Sequence, residues 1–350
     1  SAGSATGTSA VIWARASKPA NGTLKIKEEG ILAPSWSIPV KSDPAADNTF
    51  KQVVQNLKPG KTYTYTFQGT TTTSPTGQFK TAPAATTAIG LRFGFGGCAQ
   101  ANYAPLNSVA DVPKLGLDFF MMLGDAVYED GLKYKENEKS SPIEIAEAKP
   151  PIDPANPGQT SASAIAASTD AMAKHYVANL NPKISNLAPL YRSQGILAAY
   201  DNHETVDTAL ENGGAPRASV STFERGKDKD GNTRYGFREG VDFDATNSNN
   251  TVFNRSNSFI NKSREHRALI DTWLRYMPLK PSLQVTPSDP RTDGTYKLYG
   301  AQQWGKNAVV ITTDLRSYRD AKFTQIIKGK ESDYAGKDAK EQTITEVIQD

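Results

Sequence analysis

The sequence has very little sulfur and very little imidazole. One cysteine, Cys98, stands in 350 residues, so no disulfide can close within the chain. The three histidines, His175, His203 and His266, are too few and too scattered for a site built purely from histidine clusters. No apolar run approaches the roughly 20 residues that span a bilayer. The opening Ser1-Ala2-Gly3-Ser4-Ala5 lacks the basic-then-apolar pattern of a signal peptide. Charge of either sign is not in excess: 40 Lys and Arg face 37 Asp and Glu, with no block of like charges. Nothing in that balance calls for nucleic acid or an anionic membrane as partner. What remains is a chain with 37% apolar residues and all three large aromatics, enough for a sizeable core and comfortable for two domains.

Residues 1–84 read as all-β. Ala10-Val11-Ile12-Trp13-Ala14 is apolar and β-prone, and Thr23-Leu24-Lys25-Ile26-Lys27 alternates with period two. Phe50 to Val54, Thr62 to Phe67 and Gly77 to Lys80 are further strand candidates. Short strands at regular spacing predict an immunoglobulin/fibronectin-like sandwich. Within it, Leu57-Lys58-Pro59-Gly60 followed by Tyr63 and Tyr65 is similar to a corner in which a tyrosine hydroxyl pins the turn. Residues 85–90 are a small-residue linker, and a second domain is expected over 91–350.

From residue 91 the pattern changes. Leu91 to Phe95 is a strand running into Gly96-Gly97-Cys98. Leu117 to Leu123 is a near-continuous apolar run ending in Gly124-Asp125. Gly195 to Tyr200 ends in Asp201-Asn202-His203-Glu204, and Ala308 to Thr313 ends in Asp314. Helical patterns intervene over Ala164 to Leu180 and Ser263 to Met277, which predicts an α/β layered domain. Two long polar segments, 129–160 and 206–262, have no steady period and are expected as loops of functional weight or as disordered segments.

In open α/β sheets ligands bind beyond the carboxyl ends of the strands. Four strand ends here each carry a polar, metal-capable residue. Asp125, on a tight turn, offers one oxygen to each of two cations, and Tyr128 lies three residues on. Asn202 offers a neutral, hard oxygen, and His203 beside it an acid or hydrogen-bond donor. Each of these alone is as well read as an ordinary turn, a cap or a packed side chain. Cys98 reads equally as a small buried hydrophobe or as a thiolate ligand. His175 and His266 read as surface or structural residues.

Taken in order, these motifs resemble the PhoD-type branch of the metallophosphoesterase superfamily, that is, alkaline phosphatases and phosphodiesterases. Gly97-Cys98-Ala99-Gln100 stands where the superfamily has Asp-x-His. Leu123-Gly124-Asp125-Ala126-Val127-Tyr128-Glu129 resembles the second motif, Tyr200 to Glu204 the third, and Asp314-Leu315-Arg316-Ser317-Tyr318-Arg319 a later one. Asn202 departs from the family's Asp but matches the wider superfamily. The resemblance implies a metallophosphoesterase domain over 91–350, incomplete at Asp350. It implies Fe³⁺ on Cys98, Asp125 and Tyr128, with Asp125 bridging to Ca²⁺ or another divalent ion. Asp201 and Asn202 are the other expected metal ligands in this chain, with further ligands expected beyond Asp350, and His203 and Arg316 are the expected catalytic residues. For Arg316, a salt bridge with Asp314 or Asp320 is an equal expectation.

The implied activity is hydrolysis of phosphate mono- and/or diesters by a metal-held hydroxide, phospholipase D-like activity included. The implied setting is secreted or periplasmic. A second chain or C-terminal fragment is expected to complete the domain. Two other readings stand beside this one. A purple-acid-phosphatase-like enzyme fits less well, because three histidines cannot furnish its ligands. A non-catalytic cell-surface or binding protein on a degenerate phosphoesterase scaffold is the alternative of a different class.

Overall fold

A computed structural model describes residues 1–135, 141–149, 161–206, 226–227, 233–234, 264–288 and 292–318. Half of the polar segment 129–160 and nearly all of 206–262 lie outside these residues, as do Arg319, Asp320 and the rest of the chain to Asp350.

Seven strands form in the first 80 residues: β1 (Ala2–Gly3), β2 (Ala10–Arg15), β3 (Asn21–Glu28), β4 (Ser35–Lys41), β5 (Thr49–Val54), β6 (Thr62–Gly69) and β7 (Gly77–Lys80). One sheet runs in the order β4-β3-β6-β7. Leu24 and Ile26 of β3 are buried while Lys25 and Lys27 are exposed, the alternation expected of a strand with one wet face. Pro39 sits on β4, the edge strand, where a missing N–H costs no ladder bond. The Tyr63 hydroxyl accepts the Lys58 N–H at 2.8 Å and pins the turn before β6.

The other wall of this sandwich belongs to a larger sheet. After β7 come β8 (Phe93–Gly96), β9 (Phe119–Met122), β10 (Leu132–Tyr134), β11 (Ile143–Ile145) and, later, β12 (Gly195–Ala198). A six-stranded sheet runs β5-β2-β1-β12-β9-β8. Strands β8, β9, β12 and β1 are parallel, with Ala2 opposite Gly195 and Gly195 opposite Phe119; β2 and β5 are antiparallel. The sandwich and the layered region therefore share one sheet. Strand β2 shows why. Ala10 and Ile12 face the sandwich core with Leu24, Tyr63 and Phe79, whereas Trp13 joins the second core. The Trp13 indole N–H donates to Arg275 O at 2.7 Å, and Lys51 Nζ donates to Leu274 O.

The second core lies between the large sheet and three helices. Helix α1 (Ala162–Asn179) begins where Ser161 Oγ accepts the Ala164 N–H at 3.1 Å. Its buried stripe is Met172, His175, Tyr176 and Asn179, at helical spacing. Helix α2 (Leu187–Ser193) was not foreseen, although Leu187, Leu190 and Tyr191 give it a short apolar face. Helix α3 (Arg264–Tyr276) buries Leu269, Ile270, Trp273 and Leu274. Strand β9 explains the unbroken apolar run: Phe120 and Met122 face the helices, and Phe119 and Met121 face the other side.

On that other side packs a hairpin. The short strands β13 (Gly226–Lys227) and β14 (Thr233–Arg234) pair with each other, and β15 (Gly300–Trp304) pairs antiparallel with β16 (Ala308–Thr312). This corrects the expectation that Ala308 to Thr313 is a fourth strand of the parallel set. Its residues alternate between half-buried and exposed, as suits one face laid on Phe119 and Trp304, and it exchanges no ladder bonds with the six-stranded sheet.

Candidate active site

Strands β8, β9 and β12 run parallel, so their carboxyl ends lie side by side. The turns that follow carry Cys98, Gly124-Asp125 and Asp201 to Glu204. The first two turns bond to each other: Cys98 N–H donates to Gly124 O at 3.3 Å, and Ala99 N–H to Asp125 O at 2.7 Å. Cys98 (φ 57°) and Asp125 (φ 53°) both adopt the left-handed conformation, which non-glycine residues avoid. Such outliers cost about 1–3 kcal/mol each and gather at functional sites. Gly124, at φ 116°, is obligatory in another way. A β-carbon there would stand 2.6 Å from Asp201 Cβ, so the second and third turns meet only because position 124 has none.

Two side chains converge on one carboxylate oxygen. Asp125 Oδ2 lies 3.5 Å from Cys98 Sγ and 3.4 Å from the Tyr128 hydroxyl. The O–H···O separation is long for a hydrogen bond. Asp125 is buried, whereas Cys98 is exposed, so the cluster opens to solvent on the thiol side. Burial first, and then the thiol and the carboxylate, push the Tyr128 phenol well above its usual range.

The third turn supplies the polar partners. Asn202 does not cap the short 3₁₀ turn at His203–Thr205; its Oδ1 accepts from Arg316 Nη2 at 3.2 Å. The His203 N–H donates to Asp125 Oδ1 at 3.3 Å, and its Nδ1 lies 2.6 Å from Glu129 Oε2. The His203 ring packs on Tyr128, with centroids 3.8 Å apart. Glu204, fully buried, accepts three backbone N–H groups: Ala126 at 2.6 Å on Oε1, and Asp201 at 2.7 Å and Asp125 at 3.0 Å on Oε2. Burial pushes its carboxyl up to about 7 and the Asp125 charge adds to this, while the three N–H donors pull the other way.

The structure thus brings Cys98, Asp125, Tyr128 and His203 together, with Asn202 beside His203 in the third turn and its carboxamide oxygen on Arg316. Asp201 and Arg316 pair with each other at the rim, through Oδ1 and Nε. This corrects the expected Arg316–Asp314 bridge; Asp320, the other expected partner, lies outside the described residues. Asp314 instead accepts the Arg316 and Ser317 backbone N–H groups and the Tyr200 hydroxyl on Oδ1. Its Oδ2 is buried without a hydrogen-bond partner among the described residues. His175 and His266 are both buried, His175 against Ala146 O at 3.0 Å.

Sequence reasoning gave no role to Glu129 or Glu204, although both lie inside the motifs, and it missed Asn179 altogether. The Asn179 amide donates to Ala99 O at 2.8 Å and to Ala126 O at 2.7 Å. Thiol, carboxylate and phenol about one point, once deprotonated, are anionic donors that suit a trivalent cation, and the carboxylate oxygens also suit a harder divalent one. Among the described residues no three His, Cys, Asp or Glu side chains gather into a group that could hold a metal ion. Among the same residues no helix is long and apolar enough to cross a membrane.

Fold and site together define a β-sandwich fused to a layered α/β region, with polar turns gathered at the ends of parallel strands. Residues 1–83 match the family model described as PhoD-like phosphatase, N-terminal domain. Over 91% of its length the chain superposes on the structure of PhoD, with a TM-score of 0.58 and 18% identity. The resemblance to the PhoD-type family holds in sequence over residues 1–83 and in fold over nearly the whole chain. The chain spans about half of that protein, 52% of its length. A purple acid phosphatase from yellow lupin (Lupinus luteus) seeds is similar over 57% of this chain and 34% of its own, at 14% identity and a TM-score of 0.33. The sensor domain of the anti-sigma factor RsgI4 of Pseudobacteroides cellulosolvens covers 23% of this chain and 89% of its own, at 21% identity and a TM-score of 0.18. No curated protein matches the chain in sequence.

Proposed function

We propose that this chain carries a metal-dependent phosphoesterase centre, hydrolysing phosphate mono- and/or diesters. The observation that supports it best is the meeting of Cys98, Asp125, Tyr128 and His203, with Asn202 on the same turn as His203, at three adjacent parallel strand ends. Cys98, Asp125 and Tyr128 would hold Fe³⁺, and Asp125 with Asn202 a Ca²⁺ or other divalent ion. Such cations supply Lewis acidity, neutralising phosphate charge and activating water. Asp125 suits a shared position because His203 N–H fixes one of its oxygens while the other faces the thiol and the phenol. His203, held by Glu129, would donate a proton or hydrogen bond at the leaving oxygen. Arg316 holds Asp201 and donates to the Asn202 carboxamide oxygen, which suits it to position both of these candidate ligands. The sandwich we read as fibronectin type III-like, on the Tyr63 corner, and the setting as secreted or periplasmic.

The test is a visible absorption spectrum of the purified protein with iron and calcium analysis on the same sample. It is followed by turnover of p-nitrophenyl phosphate and bis-p-nitrophenyl phosphate. A charge-transfer band with hydrolysis of either ester is the expected result. A protein that stays colourless and inactive after reconstitution with both metals would overturn the reading.

A further inference from the structure

We propose that Asn179, at the end of α1, is a positioning residue that fixes Cys98 and Asp125 relative to one another; its catalytic consequence rests on the phosphoesterase reading above. Asn179 is 1% exposed and donates both amide hydrogens, to Ala99 O at 2.8 Å and Ala126 O at 2.7 Å. Those carbonyls belong to the residues that directly follow Cys98 and Asp125. One helix-borne amide therefore bridges the turns after β8 and β9, which otherwise meet through Cys98 N–H to Gly124 O and Ala99 N–H to Asp125 O.

The Ala126 peptide is gripped at both ends. Glu204 takes its N–H at 2.6 Å and Asn179 its carbonyl. This grip acts where the backbone is least content, beside two left-handed non-glycine residues. Such conformations persist only when the surroundings over-determine them. The alternative is that Asn179 merely fills space at a helix end. Against it, the Asn179 Oδ1 is buried without a hydrogen-bond partner among the described residues. A leucine would carry no such orphan. What the asparagine adds over leucine is its pair of donors, and both go to the two candidate ligand turns.

The experiment compares the full chain with Asn179→Leu, which removes both donors while keeping the number of side-chain heavy atoms, and with Asn179→Asp, which replaces them by an acceptor. Three quantities are read: amide hydrogen exchange, Fe³⁺ affinity with its charge-transfer band, and kcat and KM on p-nitrophenyl phosphate. Loss of a residue that orients metal ligands typically costs about 10- to 100-fold in metal affinity or activity. The expected result is a loss of that size in kcat and Fe³⁺ affinity with KM nearly unchanged. Faster exchange should be confined to the peptides holding Ala99 and Ala126, while β6 is unaffected. Exchange that rises equally in β6 would reduce Asn179 to a general stabiliser and overturn the proposal, as would parental exchange, metal binding and kcat. Where the leucine variant fails to fold, the aspartate variant is read by the same criteria. A parent that binds no iron and hydrolyses neither ester sinks the phosphoesterase reading, and localised exchange alone then decides whether Asn179 holds the two turns.

Discussion

The Glu129 carboxylate lies 2.6 Å from His203 Nδ1, and the two residues come from turns after different strands. A carboxylate on one imidazole nitrogen fixes both ring orientation and tautomer, leaving the other nitrogen for chemistry. Glu129→Gln is expected to lower kcat about 10- to 100-fold, in line with lost second-sphere orientation, with KM nearly unchanged. In a His203→Ala background the same change should cost nothing further, because Glu129 acts only through His203. Steady-state kinetics on the double-mutant cycle checks this; additive losses would break the link.

Gly124→Ala should force apart the turns after β9 and β12. The new methyl would meet Asp201 Cβ at 2.6 Å and Asp201 N at 2.9 Å, in a backbone conformation unsuited to alanine. Overpacking of this kind costs about 1–3 kcal/mol. The expected outcome is a lower Tm together with a lower kcat, measured by calorimetry and turnover.

Cys98 separates stability from activity. Its left-handed backbone (φ 57°) suits glycine, so Cys98→Gly should be neutral or stabilising by up to about 1 kcal/mol in urea melts. Cys98→Ser keeps the strain and removes the thiolate. Both variants should lose Fe³⁺ and its visible band. Unchanged metal content in Cys98→Ser would remove this residue from the centre.

His266 predicts an acid-labile fold. Burial lowers its pKa from about 6.5 to about 3, so the folded chain holds it neutral. Between those values the unfolded chain binds the proton and the folded chain does not, so stability rises with pH. The contribution is fully present above about pH 6.5 and is lost as pH falls from there towards 3. His266→Phe keeps a ring beside Tyr200, 6.0 Å away, and should flatten the dependence of Tm on pH by about one proton's worth. Thermal melts across that window provide the check.

Trp13 belongs to the sandwich in sequence and to the helical core in space. Trp13→Ala should cost about 3–5 kcal/mol. Because its strand is part of the shared sheet, unfolding by far-UV circular dichroism should remain one transition at a lower midpoint. Two separated transitions would show the halves to be independent.

The strand ends were legible because β9 and β12 are buried on both faces and read as apolar runs, each stopping at a polar motif. The sandwich strands were legible from alternation, as in Leu24 and Ile26 against Lys25 and Lys27. The rest depended on partners distant in sequence. Nothing near Ala308 says whether that strand joins the main sheet or folds back on β15. Glu129 and Glu204 lie inside recognisable motifs, yet their roles come from His203, Asp125 and Ala126, more than 70 residues away. Arg316 carries a charge that any of several acids could have met. Asn179 carries no motif at all; only the register of α1 turns it towards the two carbonyls.

The pairing of Ala2 with Gly195 sets the order of assembly. These residues are 195 − 2 = 193 positions apart, so the large sheet closes only after most of the described chain has emerged and collapsed. Loop-closure entropy rises slowly with length, but contacts this distant are made late and slow folding. Strand β1 pairs with β2 close by in sequence, Ala2 opposite Ile12, so until β12 arrives it is the other edge of β1 that has no neighbour. The sandwich and the candidate centre are thus finished by the same event, and a nascent chain lacking β12 leaves the inner edge of β1 open to pairing with another chain.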